Sequence, residues 1–498
     1  MIAHRLLIVI AALLASSAPA FAELAPPAER LGLSSCQIAV RGPDGAETGE
    51  QVTARCGTLR VPENREVTDG RVLALNVVVL PARNLPGREP VYFISGGPGQ
   101  AATVDAPGFA DARYRDTRDI VLMDIRGTGG DNALECALGG SDDNVQAYLE
   151  PLLADGVRYA ECRDQLAQRA DLTQYTTPKA MEDLDELRQA LGHDRILIDS
   201  GSYGTRAALT YIRMFGSHVR AAALSGAAPI ENRLPLYHAA AAQRAFDLIV
   251  ESCVADPACA AAYPDVRGDL AAILARLGAA PVMVRIPHPA TNAPVEVRLT
   301  ASAFGDGLRV ILYGDNALQV PLLLKRGRAG DLAPFAEAAM QGSRGLRRAV
   351  RTGLMLSISC AEDVWRIRPE EVARLTEGSF IGAYRVRGQM AACSVWPRGQ
   401  VSDDYYRQMR SDVPVLILSG QFDPVTPPSW GAAMARNFSR PLHVVVPAGH
   451  VPVNDCTQSL TRQLFDRGST EGIDTSCVAA MRRPAFALPN APAEAIGS

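Results

Sequence analysis

The chain has 498 residues, of which 47% are hydrophobic and 21% are charged, as in folded globular proteins. This length exceeds one compact core of ordinary size, so we expect a large domain with an inserted lobe, or two domains. The 50 basic and 54 acidic residues give a formal net charge of −4, which argues against a nucleic-acid partner. The densest basic run favours a solvated helix face over an anion site, and it consists of Arg344, Arg347, Arg348 and Arg351.

The N-terminus is typical of a secretory signal peptide. Arg5 precedes an apolar run to Ala15, and the small residues up to Ala22 end in an A-x-A pattern. We expect cleavage after Ala22 and a mature chain that is periplasmic or secreted. The apolar run is shorter than the roughly 20 residues of a membrane span, and no later segment is long enough, so we expect no stable membrane insertion.

Ten cysteines occur, all of them after residue 22. An even number in an exported chain predicts disulfides. No C-x-x-C motif or histidine-rich cluster is present in the sequence, so we expect no metal and no other cofactor. The sequence leaves the connectivity open, and the simplest pairing joins neighbours: Cys36 with Cys56, Cys136 with Cys162, Cys253 with Cys259, Cys360 with Cys393, and Cys456 with Cys477.

Strands and helices alternate through the first half of the chain. Apolar residues recur at 181, 184, 187 and 191 before Gly192, which predicts a helix over 180–191. This alternation indicates an α/β fold with a mostly parallel, doubly wound sheet. The predicted strands span 72–80, 91–95, 119–124, the residues before Ser202, and 219–225.

The pattern changes after residue 230, where alanine-rich helical stretches and proline-rich pieces replace the alternation. We interpret this segment as an inserted, mainly helical lid. The sheet pattern resumes over 413–419 and 442–446. The predicted organisation is a signal peptide at 1–22, a core at 23–230, a lid at 231–400, and the second part of the core with a C-terminal extension at 401–498.

The most informative motif lies around Ser202. An apolar strand runs into Ser200-Gly-Ser202-Tyr-Gly204 and then into a helix-forming segment, which is the layout of a nucleophile elbow. Ser200 takes the first glycine place of G-x-S-x-G, and its small size makes it a tolerated variant. Small residues also occur in ordinary strand-to-helix turns, so the prediction depends on partners further along the chain.

Asp423 and His450 are those partners. A serine nucleophile needs a histidine base, and the histidine needs a carboxylate that fixes its tautomer. Asp423 and His450 each follow a predicted strand, in the order serine, acid, histidine that this architecture requires. Each alone also fits an ordinary turn or loop, but the three together predict a catalytic triad.

A second backbone donor is expected beside the N–H of Tyr203 to form an oxyanion hole. The strand over 91–95 opens into Gly96-Gly97-Pro98-Gly99, and the glycines permit a close approach of the backbone. We assign the second donor to Gly97. A plain turn or a phosphate loop is the alternative, but the GK[ST] ending of a phosphate loop is missing.

Several segments together resemble the exported tripeptidyl-aminopeptidase and proline-iminopeptidase-like α/β-hydrolases. The resemblance covers about residues 50 to 480 and implies an α/β-hydrolase fold with a lid, cleavage of short peptides from a free N-terminus, and Ser202, Asp423 and His450 as the triad. Ser95 departs from the histidine that often precedes the glycine loop, and Asp131 departs from a frequent serine. The matching segments are Gly96-Gly-Pro-Gly99, Asp124-Ile-Arg-Gly-Thr-Gly129, Tyr175-Thr-Thr177, Ser202-Tyr-Gly-Thr205, Gly420-Gln-Phe-Asp423-Pro-Val-Thr-Pro427 and Gly449-His450.

An aminopeptidase also needs an anion for the substrate's ammonium group. Glu362, in Cys360-Ala-Glu-Asp363, is the candidate, although an ion pair beside a disulfide is an equal alternative. The sequence thus predicts a serine aminopeptidase with peptide substrates that releases short peptides or single residues, including proline. A carboxylic ester hydrolase with the same triad is the alternative, and a binding protein on a hydrolase scaffold is a third hypothesis.

Overall fold

The computed structural model describes residues 25–41, 47–84, 88–136, 138–151 and 156–489. The predicted signal peptide at 1–22 and the last residues of the predicted C-terminal extension lie outside this part. In the described part, no helix combines the length and the apolar character that a membrane crossing requires.

Eleven strands are found in the described residues. Their bounds are β1 Leu31–Arg41, β2 Glu47–Pro62, β3 Val72–Leu80, β4 Val91–Ile94, β5 Ile120–Met123, β6 Ile196–Gly201, β7 Val219–Ser225, β8 Val282–Pro287, β9 Pro294–Leu299, β10 Val415–Gly420 and β11 Pro441–Val446.

The α-helices follow the strands in the predicted alternation and fill the segment between β7 and β10. Their bounds are α1 Gln146–Leu149, α2 Gly156–Ala167, α3 Thr177–Ala190, α4 Tyr203–Phe215, α5 His238–Ala255, α6 Pro257–Ala262, α7 Val266–Ala279, α8 Ala301–Ile311, α9 Val320–Arg328, α10 Ala333–Ala349, α11 Thr352–Glu362, α12 Pro369–Thr376, α13 Tyr384–Val395, α14 Pro428–Ala435, α15 Asp455–Arg467 and α16 Ser476–Ala480. Short 3₁₀ helices lie between some of these elements, including Ala102–Phe109 between β4 and β5 and Asp315–Gln319 between α8 and α9.

Nine strands form one sheet in the order β1-β2-β3-β5-β4-β6-β7-β10-β11. The six strands from β5 to β11 in this order are parallel, and β3, β2 and β1 extend the sheet in antiparallel pairing. The predicted α/β fold with a mostly parallel sheet is therefore confirmed. The hairpin of β1 and β2 was not predicted, because its exposed, alternating residues lack the apolar runs of the inner strands.

The sheet is covered on both faces, as its residues alternate between two apolar clusters. Ile196 and Ile198 of β6 pack into a cluster with α3 and α4, whereas Leu197 packs into a cluster with α15 on the other face. In α3, the predicted apolar positions Met181 and Leu184 are buried in the first cluster. The doubly wound arrangement follows directly from this alternation.

The segment between β7 and β10 contains α5 to α13. Its α11 and α13 contribute Leu354, Leu356 and Ala392 to the first cluster on the sheet, whereas α5 to α10 form a separate apolar core together with α1. Phe304 and Phe335 stack at 3.9 Å between ring centroids in this core. A two-stranded antiparallel sheet, β8 with β9, adds to the helices, and the proline-rich residues near 287–294 form its turn. The insertion is thus mainly helical, and the limits at 231 and 400 stay a prediction.

Five disulfides join the cysteines in the sequential pairing that we predicted, with Cα–Cα distances of 5.1 to 5.8 Å. Among the described residues no cysteine is free. One bridge, Cys360 with Cys393, ties α11 to α13 within the insertion.

A buried ion pair connects the insertion to the core. Arg206 of α4 lies 2.6 Å from Asp363, which follows α11, and both side chains are buried. Arg206 also donates to the carbonyls of Pro229 and Asn232 at 2.9 and 2.8 Å. The end of α11 is therefore fixed against the helix that follows Ser202.

Candidate active site

Ser202 lies in the sharp turn between β6 and α4. Its backbone has φ 56° and ψ −127°, a strained conformation for a residue with a side chain. The Ser202 N–H donates to the carbonyl of Ser225 at 2.9 Å, and Thr205 donates to the Ser202 carbonyl through its N–H and its hydroxyl, at 2.9 and 2.7 Å. These bonds hold the turn in the elbow conformation that the sequence predicts.

Gly204 shows why the turn needs small residues. A Cβ atom at Gly204 would lie 2.2 Å from the carbonyl oxygen of Ile94, at the end of β4. The start of α4 thus touches the backbone of β4, and no side chain fits between them. Ser200, in the first glycine place, is buried with its hydroxyl 3.5 Å from the carbonyl of Ala223, so the strand accommodates it.

Asp423 and His450 meet beyond the ends of β10 and β11. His450 Nδ1 lies 2.8 Å from Asp423 Oδ2. The other Asp423 oxygen accepts the backbone N–H groups of Val425 and Thr426 at 2.7 and 2.8 Å. Burial alone would raise the pKa of Asp423, but the charge of His450 and these hydrogen bonds outweigh it and lower that pKa. The carboxylate therefore stays ionised and holds the Nδ1 proton, which leaves His450 Nε2 free to act as a base.

Thr426 is a member of this cluster that the sequence analysis missed. Its hydroxyl donates to Asp423 Oδ2 at 2.7 Å and lies 3.1 Å from His450 Nδ1. A threonine three residues after an aspartate is a recognisable loop pattern, so this contact had a signal in the sequence.

Tyr313 brings the insertion into contact with the histidine. The backbone N–H of His450 donates to the backbone carbonyl of Tyr313 at 2.7 Å. The two rings meet edge to face with centroids 5.2 Å apart. Nothing in the sequence around Tyr313 indicates this contact, because it depends on how the insertion folds back.

Ser202 and His450 line one cavity of about 980 Å³, together with Gly97 of the glycine loop. Gly97 has φ 112°, in the region that favours glycine, and an added Cβ would lie 2.5 Å from the N atom of Gly99. Tyr203 begins α4, so its N–H has no partner within the helix. The structure thus brings Ser202, His450 and Gly97 to one cavity, with Asp423 bonded to His450 and Tyr203 next to Ser202 in the chain, and this arrangement permits acyl transfer through a serine.

Glu362 lies outside the wall of this cavity. Its side chain is fully buried, is not part of the cavity wall, and accepts hydrogen bonds from the Thr177 N–H at 2.6 Å, the Thr177 hydroxyl at 2.9 Å and the Tyr405 hydroxyl at 2.7 Å. The Thr177 hydroxyl lies 2.7 Å from the hydroxyl of Tyr203. Because its oxygens are buried and occupied, the geometry argues against the predicted contact between Glu362 and a substrate ammonium group. Through Thr177, Glu362 instead connects to Tyr203, the first residue of α4.

The cavity carries charged residues that the sequence analysis did not assign to a site. The core side contributes Asp105, which accepts from Ser95 at 3.3 Å, and Asp199, which accepts from Tyr114 at 2.8 Å. Burial raises the pKa of each of these two carboxyls to about 6. The insertion contributes Asp306, Arg309, Arg347 and Arg385.

Arg347 corrects the interpretation of the basic run. We expected a solvated helix face, and Arg348 is indeed exposed, while Arg344 pairs with Asp142 at 2.8 Å. Arg347, however, lines the cavity. Helical spacing places these arginines on adjacent faces, and only the packing of α10 decides which of them points inward.

Comparison with known proteins agrees with this geometry. The family description "alpha/beta hydrolase fold" matches residues 89–267, and the description "TAP-like protein" matches residues 378–477. Serine protease Hip1 of Mycobacterium tuberculosis is 26% identical over 77% of this chain and 79% of its own length. Carboxylesterase B of the same species is 27% identical over 87% of this chain and 88% of its own, and the hydrolase YuaR of Escherichia coli is 22% identical over 84% and 87%.

The fold and the family matches define a class, the serine hydrolases with the α/β-hydrolase fold. Within this class, the TAP-like match over residues 378–477 confirms the resemblance that the sequence motifs indicate.

The raised pKa of Glu362 predicts a pH-dependent stability. Burial raises this pKa from its ordinary 4.5 to about 7, so the folded chain holds the proton more tightly than the unfolded chain. The contribution of Glu362 to stability is therefore fully present below pH 4.5 and is lost as the pH rises through 7. Glu362→Gln removes this titration, so between pH 4 and 8 we expect the wild type to lose about 3 kcal/mol relative to the variant.

Urea denaturation of both proteins at several pH values measures this difference. The comparison isolates Glu362 from the other carboxyl groups, which titrate in both proteins. A difference in unfolding free energy that stays constant over this pH range would contradict the assignment.

Loss of the Thr426 hydroxyl should slow the reaction without unfolding the chain. Thr426→Val removes the hydrogen bond to the Asp423 carboxylate, and one bond to a charged group corresponds to about tenfold in kcat. Thr426→Ser keeps the hydroxyl and serves as the matched control. Hydrolysis of an activated acyl ester gives kcat, and the same loss in both variants would refute a role for the hydroxyl.

Proposed function

We propose that the protein is an extracytoplasmic serine aminopeptidase that releases short peptides or single residues, including proline, from free peptide N-termini. The observation that carries the proposal is the Asp423–His450 pair at 2.8 Å, in one cavity with the strained Ser202. The match to the TAP-like family and the resemblance of the sequence motifs support the peptide substrate.

In the proposed mechanism, Ser202 Oγ attacks the scissile carbonyl while His450 Nε2 takes its proton. Asp423 stabilises the imidazolium, and the N–H groups of Gly97 and Tyr203 hold the oxyanion. His450 then gives the proton to the leaving amine, which departs and leaves an acyl-enzyme on Ser202. Water, activated by His450, attacks the acyl-enzyme and regenerates the serine.

The size of the cavity supports an exopeptidase. A volume of about 980 Å³ suits a ligand of a few residues, and the insertion covers the site through α8, α10 and α13. A substrate ammonium group needs an anion in this space. Since Glu362 is buried behind the elbow, Asp105 and Asp199 on the core side are the carboxylates that we propose in its place.

Ester hydrolysis is the second candidate. The relative named Carboxylesterase B, at 27% identity, favours it, because the same triad transfers an acyl group from an alcohol as well as from an amine. The two functions differ in whether the substrate needs a free amine.

We further propose that the protein is periplasmic or secreted. Five disulfides fit an oxidising compartment, and the residues up to Ala22 have the pattern of a signal peptide. Mass spectrometry of the protein recovered from cells should therefore find Glu23 as the first residue. A protein that retains Met1 and lacks disulfides would contradict this localisation.

Ser202→Ala should abolish the activity. Removing a triad nucleophile lowers kcat by about four to six orders of magnitude, and labelling by a fluorophosphonate should disappear with it. The control is Ser217→Ala, which changes an exposed serine in the turn after α4. Full turnover by Ser202→Ala, or labelling of another residue, would refute the mechanism.

The lengths of the products show how many residues are removed in each cleavage. Mass spectrometry of a digested mixed peptide library should show loss of residues from free N-termini only, with N-acetylated peptides left intact. We expect kcat/KM for peptidyl anilides to exceed that for short acyl esters. A preference for an acyl ester without an amine would instead establish the second candidate.

A further inference from the structure

The insertion brings an excess of positive charge to the cavity that contains Ser202. Arg309 of α8, Arg347 of α10 and Arg385 of α13 line this cavity. Among the described residues of the insertion that line it, Asp306 supplies the one carboxylate. Arg309 Nε lies 3.1 Å from Asp306 Oδ1, and Arg385 lies 3.8 Å from the same oxygen. Two of the three guanidinium groups thus share a single carboxylate.

The other hydrogen bonds of Arg309 and Arg347 do not neutralise them. Arg309 donates to the Tyr313 hydroxyl at 2.6 Å, and Arg347 donates to the backbone carbonyl of Glu150. Both acceptors are uncharged. An arginine keeps its charge under all ordinary conditions, so the positive excess persists at the cavity wall.

His238 provides an independent indication of a ligand. Arg385 Nε can only donate, so the bond of 3.4 Å to His238 Nδ1 makes Nδ1 the acceptor and places the proton of the neutral ring on Nε2. Burial, followed by the charges of Arg385 and Arg309, lowers the pKa of His238 and keeps it neutral. The residue is 8% exposed and lines the cavity, yet its Nε2 atom is buried and has no hydrogen-bond partner in the described part of the chain. A buried donor without an acceptor is costly, and an anionic ligand would satisfy it.

The cluster lies next to the reacting groups. Tyr313, which accepts from Arg309, packs its ring against His450 at 5.2 Å and accepts the His450 N–H through its carbonyl. One residue therefore separates Arg309 from the proposed base, so a substrate attacked by Ser202 can extend to the arginines in the same cavity.

We propose that Arg309, Arg347, Arg385 and His238 form a subsite for a carboxylate group of the substrate. The planar guanidinium matches a carboxylate in two parallel hydrogen bonds, and the His238 Nε2–H supplies a further donor. The proposal rests on Ser202 as the nucleophile. The carboxylate is either the C-terminus of a short peptide or an acidic side chain, and both have the same chemistry.

Paired substrates test the subsite. We compare kcat/KM for tetrapeptides with a free or an amidated C-terminus, and for tetrapeptides with aspartate or asparagine at each inner position. Wild type should prefer the peptide with the additional carboxylate by about tenfold or more in one of the two series. The series that shows the preference identifies the source of the carboxylate. Equal rates within both series would overturn the proposal, and this comparison needs no variant.

Arg385→Gln should remove the preference by lowering kcat/KM for the carboxylate substrates only. Arg385 is chosen because it is less buried than Arg309 and is the farther of the two from Asp306. The control is Arg348→Gln, an exposed arginine of α10 that pairs with Asp142 at 3.4 Å. A preference that survives Arg385→Gln would also overturn the proposal.

Two further measurements separate this inference from the proposed function. If a fluorophosphonate labels Ser202 but no carboxylate preference exists, the subsite fails alone. If Ser202 is not labelled, the proposed function fails. The affinity of the protein for the paired peptides then tests whether the subsite binds a carboxylate. Calorimetry then compares the same peptides on the Ser202→Ala protein, with and without Arg385→Gln. About tenfold weaker binding of the carboxylate peptide to the double variant supports the subsite, and equal binding overturns it.

Discussion

The contact between the start of α4 and the end of β4 is the constraint on which the site depends. With Gly204 there is no room for a side chain against the Ile94 carbonyl, so the helix begins directly beside the strand. Ser202 must then adopt its positive φ to connect β6 to this helix. The same contact places Ser202 beside the glycine loop that follows β4, since a Cβ atom added at Gly96 would lie 3.3 Å from the Ser202 Cβ. One close approach of two backbones thus positions both the nucleophile and the proposed oxyanion donors.

The insertion is fixed to this same helix by two adjacent contacts. Arg206 pairs with Asp363, and the hydroxyl of Tyr203 reaches Glu362 through Thr177. A buried pair of this kind adds little net stability, but loss of one partner leaves an uncompensated charge and is strongly destabilising. The position of the end of α11 and the position of the elbow are therefore coupled, since neither can move without breaking buried polar contacts.

Some positions in the site depend on local sequence patterns, whereas others depend on contacts between distant segments. Ser202, Asp423 and His450 were predictable because each follows an apolar strand in a short turn, and parallel strands bring their carboxyl ends together. The positions of Glu362 and Arg347 were not predictable, because the sequence around each identifies a charged residue but not the surface against which its helix packs. Glu362 contacts Thr177 and Tyr405 and lies outside the cavity wall, whereas Arg347 lines the cavity. Helix packing within the insertion, which decides both outcomes, has no local signature.

The distribution of charge in the cavity connects the two proposals. The core side contributes an excess of carboxylates, with Asp105 and Asp199 among them and Arg113 as a cation, whereas the insertion contributes three arginines and one neutralised aspartate. A small molecule with an ammonium group and a carboxylate group at its two ends complements both walls. A short peptide with free termini is such a molecule, while a simple acyl ester carries neither charge. Because desolvated charges that meet no partner oppose binding, the two proposals together predict that such a peptide binds better than the ester.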